Sequence, residues 1–147
     1  METQLSRLAP LVPVARLLIG GLFVSSGYSK LGASDATAQY LASGGLPGAL
    51  SLAIVVGLFE IGSGLALIVG YHARIAAFAL AAFTFVASLL FHAYWAVPAD
   101  QQFVQQLLFS KNAAILGALL FIAAMGAGPF SVDARPASGG RAHPEMG

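Results

Sequence analysis

The chain has 147 residues, of which 58% are hydrophobic and 9% charged, with a formal net charge of +1 and no cysteine. A soluble domain carries about a quarter of its residues as Asp, Glu, Lys or Arg, so these charges are too few to cover a water-soluble globule, and lipid must solvate most of the surface. The missing cysteines exclude disulfides, thiolate metal sites and cysteine-held iron–sulfur clusters, and no basic patch is available for a nucleic acid.

A membrane-spanning helix needs about 20 mainly apolar residues, and four segments supply them, at about 12–31, 47–69, 73–95 and 107–127. The fold class that follows is an all-α membrane protein, a four-transmembrane-helix bundle over 12–133. Residues 1–11 form an N-terminal cytoplasmic segment. The first span tolerates Pro13 in its first turn, and it is read as a span rather than a cleaved signal because three more follow it. Between the first two spans, Ser34 is a candidate cap for a short helix ending at Gly44, with Tyr40 and Leu41 resting on the membrane interface. Pro47 suits the first position of the second span, and Gly70 ends it. The third span stops before Pro98. Asp100 is placed to cap a helical lead-in to the fourth, which closes at Gly128-Pro129. The tail 134–147, rich in Pro, Gly and Ala, reads as disordered.

Orientation follows from Lys and Arg in the short flanks. Arg7, Arg16, Arg74, Arg135 and Arg141 fall on one side, Lys30 and Lys111 on the other, which puts both termini in the cytoplasm.

Ionisable residues inside a span cost about 2.5–3.5 kcal/mol at mid-helix on insertion scales, so each one calls for a reason. Arg16, Gly20, Phe23, Gly27 and Lys30 form one stripe at 3.6 residues per turn. Charges and glycines on one face point that face at other helices, where glycine lets backbones approach closely. Gly57, Glu60 and Gly64 do the same in the second span, and Phe85, Ser88 and His92 share a face in the third. Cβ atoms tilt toward their own helix N-terminus, so Lys30 and Glu60, on antiparallel helices, lean together and are expected to pair, with Lys111 or His92 next in line. Arg16 and Lys111, near helix ends, also fit a plainer role in which they snorkel to the headgroups. His92 beside Tyr94 and Trp95 fits an interfacial residue. Glu60 is mid-span and has no such escape. No His or carboxylate cluster has metal-ligand or haem spacing, so a redox role would need an organic cofactor or a partner.

In order along the chain, Arg16 with Gly20 and Phe23, Gly27-Tyr28-Ser29-Lys30-Leu31, Gly44-Gly45-Leu46-Pro47, Glu60 with Gly64 and Gly70, His92 with Trp95, Lys111-Asn112 and Gly128-Pro129-Phe130-Ser131-Val132-Asp133 resemble the DoxX family of small bacterial membrane proteins. The resemblance implies a four-span bundle in the bacterial inner membrane and Arg16, Lys30, Glu60, His92, Lys111 and Asn112 as its polar positions. Its relatives include a subunit of thiosulfate:quinone oxidoreductase and others linked to quinone, catechol or oxidative stress. Three functions fit. The first is a quinone-linked oxidoreductase subunit that binds a quinone and needs a redox partner protein. The second is a small transporter of a phenolic or anionic compound. The third is a structural membrane subunit. The glycine faces serve packing within one bundle or within a homo-oligomer.

Overall fold

The computed structural model describes residues 8–134; the expectations for Arg7, Arg135, Arg141 and nearly all of the tail lie outside the described residues. The described chain is helical throughout, as α1 (Leu11–Gly32), α2 (Ser34–Ser43), α3 (Ala49–Val69), α4 (Ala73–Phe91), a 3-10 turn (Tyr94–Ala96) and α5 (Ala99–Met125). Four of these elements are long and apolar enough to cross a membrane. They run up and down, so residues 33–48 and 92–98 lie at one end, with Lys30. The tight turn 70–72 and the residues after α5 lie at the other, with Arg16.

The bundle is two tight helix pairs, α1 with α3 and α4 with α5, joined less closely through α3 and α4, with α2 packed across α3. Glycine makes the first pair possible. A Cβ at Gly20 would strike the Gly64 carbonyl oxygen and one at Gly64 the Gly20 carbonyl; Gly27 and Gly57 face each other in the same way. Both pairs belong to one antiparallel register, and any larger residue would force the backbones apart. Alanine and leucine build the second pair: Ala73, Ala77, Leu80 and Leu119 are fully buried beside Leu67 of α3. The outer faces are apolar as well, with Leu18, Ile75, Phe78 and Phe121 all more than 60% exposed, as a lipid-solvated surface requires.

Several boundaries depart from the hydropathy reading. The third span is helical only to Phe91. His92 leaves the helix at φ −129°, and Val97 is extended ahead of Pro98, as a residue before proline must be. The fourth helix begins at Ala99, about two turns before its apolar stretch, since Ala and Gln sustain a helix without lipid contact. Pro98 sits at its N-cap, and Asp100 makes no capping bond. Ala33, not Ser34, precedes α2, and no side chain caps it. Gly48, at φ +62°, opens α3, which leaves Pro47 outside. Gly126 ends α5 at Met125, before Gly128-Pro129. On α4 the inward face runs through Leu80, Thr84 and Ser88; Phe85, one residue and therefore about 100° further round, is 52% exposed.

At the Arg16 end the chain after α5 folds back onto the 70–72 turn. Val132 N–H donates to Val69 O at 3.1 Å and Asp133 N–H to Gly70 O at 2.9 Å. The Asp133 carboxylate accepts from His72 N–H at 2.8 Å and Ala73 N–H at 2.9 Å. It thereby caps α4 from across the structure, and those backbone donors, Ala73 first, hold its carboxyl below the usual carboxylate range.

Candidate functional site

The two helix pairs leave a cavity of about 490 Å³ between them, walled by α1, α3, α4 and α5 and covered at the Lys30 end by α2. Its volume lies in the range of ligand pockets, about 300–1,000 Å³. Phe23, Phe83 and Ile115 make its deeper wall apolar; Lys30, Thr37, Tyr40, His92, Lys111 and Asn112 stand toward the Lys30 end. Leu22, Val86 and Leu90 line it while also lying exposed on the outside of the bundle, so the cavity borders the bilayer.

Glu60 is the acid of this site and is 2% exposed. Lys30 Nζ donates to its Oε2 at 2.8 Å and to Ser26 Oγ at 2.6 Å, and Ser26 Oγ donates to Glu60 Oε1 at 3.2 Å. In the register set by the glycine pairs, Lys30 lies six residues beyond the level of Glu60, about 9 Å along the axis. The opposed tilt of the two side chains closes that distance. The pair is therefore the one that side-chain direction predicts, with a serine as third member. Ser26 was legible only as a small helical residue, because nothing local marks a hydroxyl that bonds across to another helix.

His92, half-buried, borders the cavity from the point where α4 ends, with Nδ1 2.9 Å from Gln105 Oε1. An amide oxygen only accepts, so Nδ1 carries the proton in this contact and Nε2 is left for another partner. Gln105 stood unremarked in a polar stretch because the helix that carries it toward His92 starts before the apolar run. Lys111 and Asn112 border the cavity from α5. Among the described residues neither side chain takes part in a hydrogen bond or an ion pair. Thr84, 5% exposed, also lines the cavity, and its Oγ1 is buried without a partner. At the mouth Tyr40 stacks on Phe91 at 4.7 Å and Leu41 is buried, so α2 packs onto the bundle instead of lying free on the interface.

Arg16 is elsewhere. It is 2% exposed, so it does not snorkel. Its Nη1 donates to Ala127 O at 2.9 Å and its Nη2 to Phe130 O at 2.6 Å, and Gly70 leaves room for the guanidinium. Of the six polar positions, Lys30, Glu60, His92, Lys111 and Asn112 therefore gather on one cavity, and Arg16 ties the opposite end of the bundle.

The DoxX family model matches residues 11–93, which takes in α1 to α4 with Arg16, Lys30, Glu60 and His92. Two Escherichia coli K12 proteins are similar over most of their length. Inner membrane protein YqjF is 38% identical over 122 residues, which cover 83% of this chain and 88% of the relative. Inner membrane protein YphA is 30% identical over 125 residues, 85% and 89% of the two chains. No solved structure matches. With four apolar spans and relatives of this length and character, the chain belongs to the DoxX family and is a multi-pass protein of the inner membrane.

Proposed function

We propose that the protein is the membrane subunit of a quinone-linked oxidoreductase, with its Arg16 end toward the cytoplasm, and that the cavity receives the quinone headgroup. One observation carries the reading: the Lys30–Ser26–Glu60 cluster shares a lipid-bordering, largely apolar cavity with His92, Lys111 and Asn112. Few polar groups converging in an apolar pocket is the pattern of a small-molecule site. The residues fit this group, since the Lys111 ammonium and the Asn112 amide can donate to ring oxygens, His92 Nε2 can accept from a ring hydroxyl, and the buried Thr84 hydroxyl has no protein partner to give up.

A bound quinone supplies the two-electron, two-proton carrier, and a partner protein supplies or accepts the electrons. The chain's own residues do the rest. Lys111 and Asn112 donate hydrogen bonds to an oxygen of the ligand at the Lys30 end, where His92 Nε2 can accept one from a ligand hydroxyl. Glu60 takes up or releases a proton at Oε2. Lys30 Nζ, 2.8 Å away, donates a hydrogen bond to that carboxylate, and Ser26 bridges the two. The Phe23, Phe83 and Ile115 wall keeps water from the deeper cavity.

Mass spectrometry of organic extracts tests this on protein purified in mild detergent, with Glu60→Gln and Lys30→Met beside the wild type. Stoichiometric quinone in the wild type, lost from variants that stay folded, is the expected result. Quinone in none of them, with the variants only less stable, would overturn the reading in favour of a structural subunit.

A further inference from the structure

The charges bordering the cavity do not balance. Lys30 is matched by Glu60, with both carboxylate oxygens in hydrogen bonds to Lys30 and Ser26. That leaves Lys111 as the cation of the lining with no partner among the described residues, beside an amide, Asn112, that likewise has none. Lys111 is exposed where it stands on α5, within reach of both the cavity and its surroundings. Gln105 meets His92 where α4 ends, and Lys111 is six residues further along α5, about 9 Å into the bundle. Because α5 starts at the Lys30 end, the lysine tilts back toward the mouth, on the polar side of the cavity and opposite its apolar depth. An uncompensated ammonium at the rim of an apolar, lipid-bordering cavity favours a ligand of the opposite charge.

We infer that the cavity takes a lipophilic monoanion, one ionised oxygen acid on an apolar body, with Lys111 as its counter-ion and Asn112 as a further donor to the acidic oxygen. Resting on the reading of the cavity as a quinone site, this names the form the ligand takes: an acidic hydroxyquinone in its ionised state. The same chemistry is offered by a fatty-acid carboxylate, the other source of such a group in a bilayer. Lys30 does not serve this role, because binding there would require breaking the bonds to Glu60 and Ser26. The apolar body lies along Phe23, Phe83 and Ile115, and the acid stays at the mouth.

The test is calorimetric titration of the full chain in one detergent at fixed concentration, with affinities of matched pairs corrected for each compound's measured micelle partitioning. One pair is a 3-alkyl-2-hydroxy-1,4-naphthoquinone, ionised at neutral pH, and its 2-methyl ether; the other is dodecanoate and its methyl ester. The wild type is expected to bind the ionised member of at least one pair about ten-fold or more tightly than its neutral mate, as loss of a charge-assisted bond implies. Lys111→Gln should erase that preference by weakening the ionised member far more than its neutral mate, and an unaltered unfolding midpoint reports that the variant is folded. Lys111→Arg should keep the preference. Equal affinity within both pairs, or a preference that survives Lys111→Gln, overturns the inference; if the neutral quinone ether still binds, the quinone reading outlives it. Lys111-dependent binding of dodecanoate with no binding of either naphthoquinone supports the monoanion site and removes the quinone reading. Binding of none of the four compounds overturns both.

Discussion

Arg16 and Lys30 stand on the same face of α1, and the bundle treats them in opposite ways. Arg16 gives its hydrogen bonds to backbone carbonyls, Ala127 O and Phe130 O, in the segment that folds back after α5. Lys30 gives its bonds to side chains, Glu60 and Ser26, on the rim of a cavity. The first end is closed, with Gly70, Ser131 and Asp133 packed around the guanidinium and the 70–72 turn. The second is open, and His92, Lys111, Asn112 and Thr84 keep polar atoms that other residues do not claim. A buried charge spent on carbonyls holds chain segments together. A charge spent on a carboxylate beside a cavity is placed where a ligand or a proton can alter it.

The sharpest way to break this contrast is to remove Arg16. Arg16→Met loses two hydrogen bonds from a charged donor, about 1.5–3 kcal/mol each, so unfolding followed in detergent should fall by roughly 3 kcal/mol or more. Ligand affinity of the fraction that stays folded should be unchanged. A selective loss of binding at full stability would place Arg16 in the site. Next comes the α1–α3 seam: Gly27→Ala puts a methyl group on the Gly57 carbonyl and should cost about 1–3 kcal/mol, as overpacking does. Because it shifts α1 against α3 at the level of Glu60, it should also weaken binding, whereas Gly20→Ala, nearer the Arg16 end, should lower stability with less effect on the cavity.

The Lys30–Glu60 pair predicts a smaller effect on stability, since Lys30 is 29% exposed and solvent takes up part of any lost charge. Glu60→Gln and Lys30→Gln should each cost about 1–2 kcal/mol, with a coupling of about 1 kcal/mol in the double-mutant cycle; additive losses would dissolve the pair. Smallest is Asp133→Asn, a weakened cap worth about 1 kcal/mol. The folded state holds this carboxyl below its ordinary value, Ala73 N–H first among the causes. Its contribution is therefore complete above the unfolded pKa of about 3.9 and lost as pH falls through the folded value. Acid unfolding curves of wild type and Asp133→Asn should converge there.

How much of this was legible in the sequence differs between the two ends. Four spans, the Arg16–Lys30 stripe, the glycine faces and the tilt of Lys30 toward Glu60 all follow from periodicity and helix geometry, which act along one element at a time; which glycines meet does not. The tie between Arg16 and the carbonyls after α5 depends on where the chain returns more than a hundred residues later, and helix pattern carries no trace of it. Asp133 capping α4 is hidden for the same reason. Ser26, Thr84 and Gln105 are residues that sit unremarked in many helices, and only the assembled cavity distinguishes them. The end of α4 at Phe91 was masked by hydropathy, which continues through Trp95 although the helix does not.

Photolabelling tests the contrast between the two ends most directly. An azido-quinone is added to the purified protein, irradiated and mapped by peptide mass spectrometry, with and without excess plain quinone, in wild type and Glu60→Gln. Competable labelling is expected, confined to the cavity at Tyr40, Phe91 and their neighbours, lost in the Glu60 variant and absent around Arg16. Labelling spread over the lipid-facing residues, unaffected by competitor or by Glu60→Gln, would contradict that contrast.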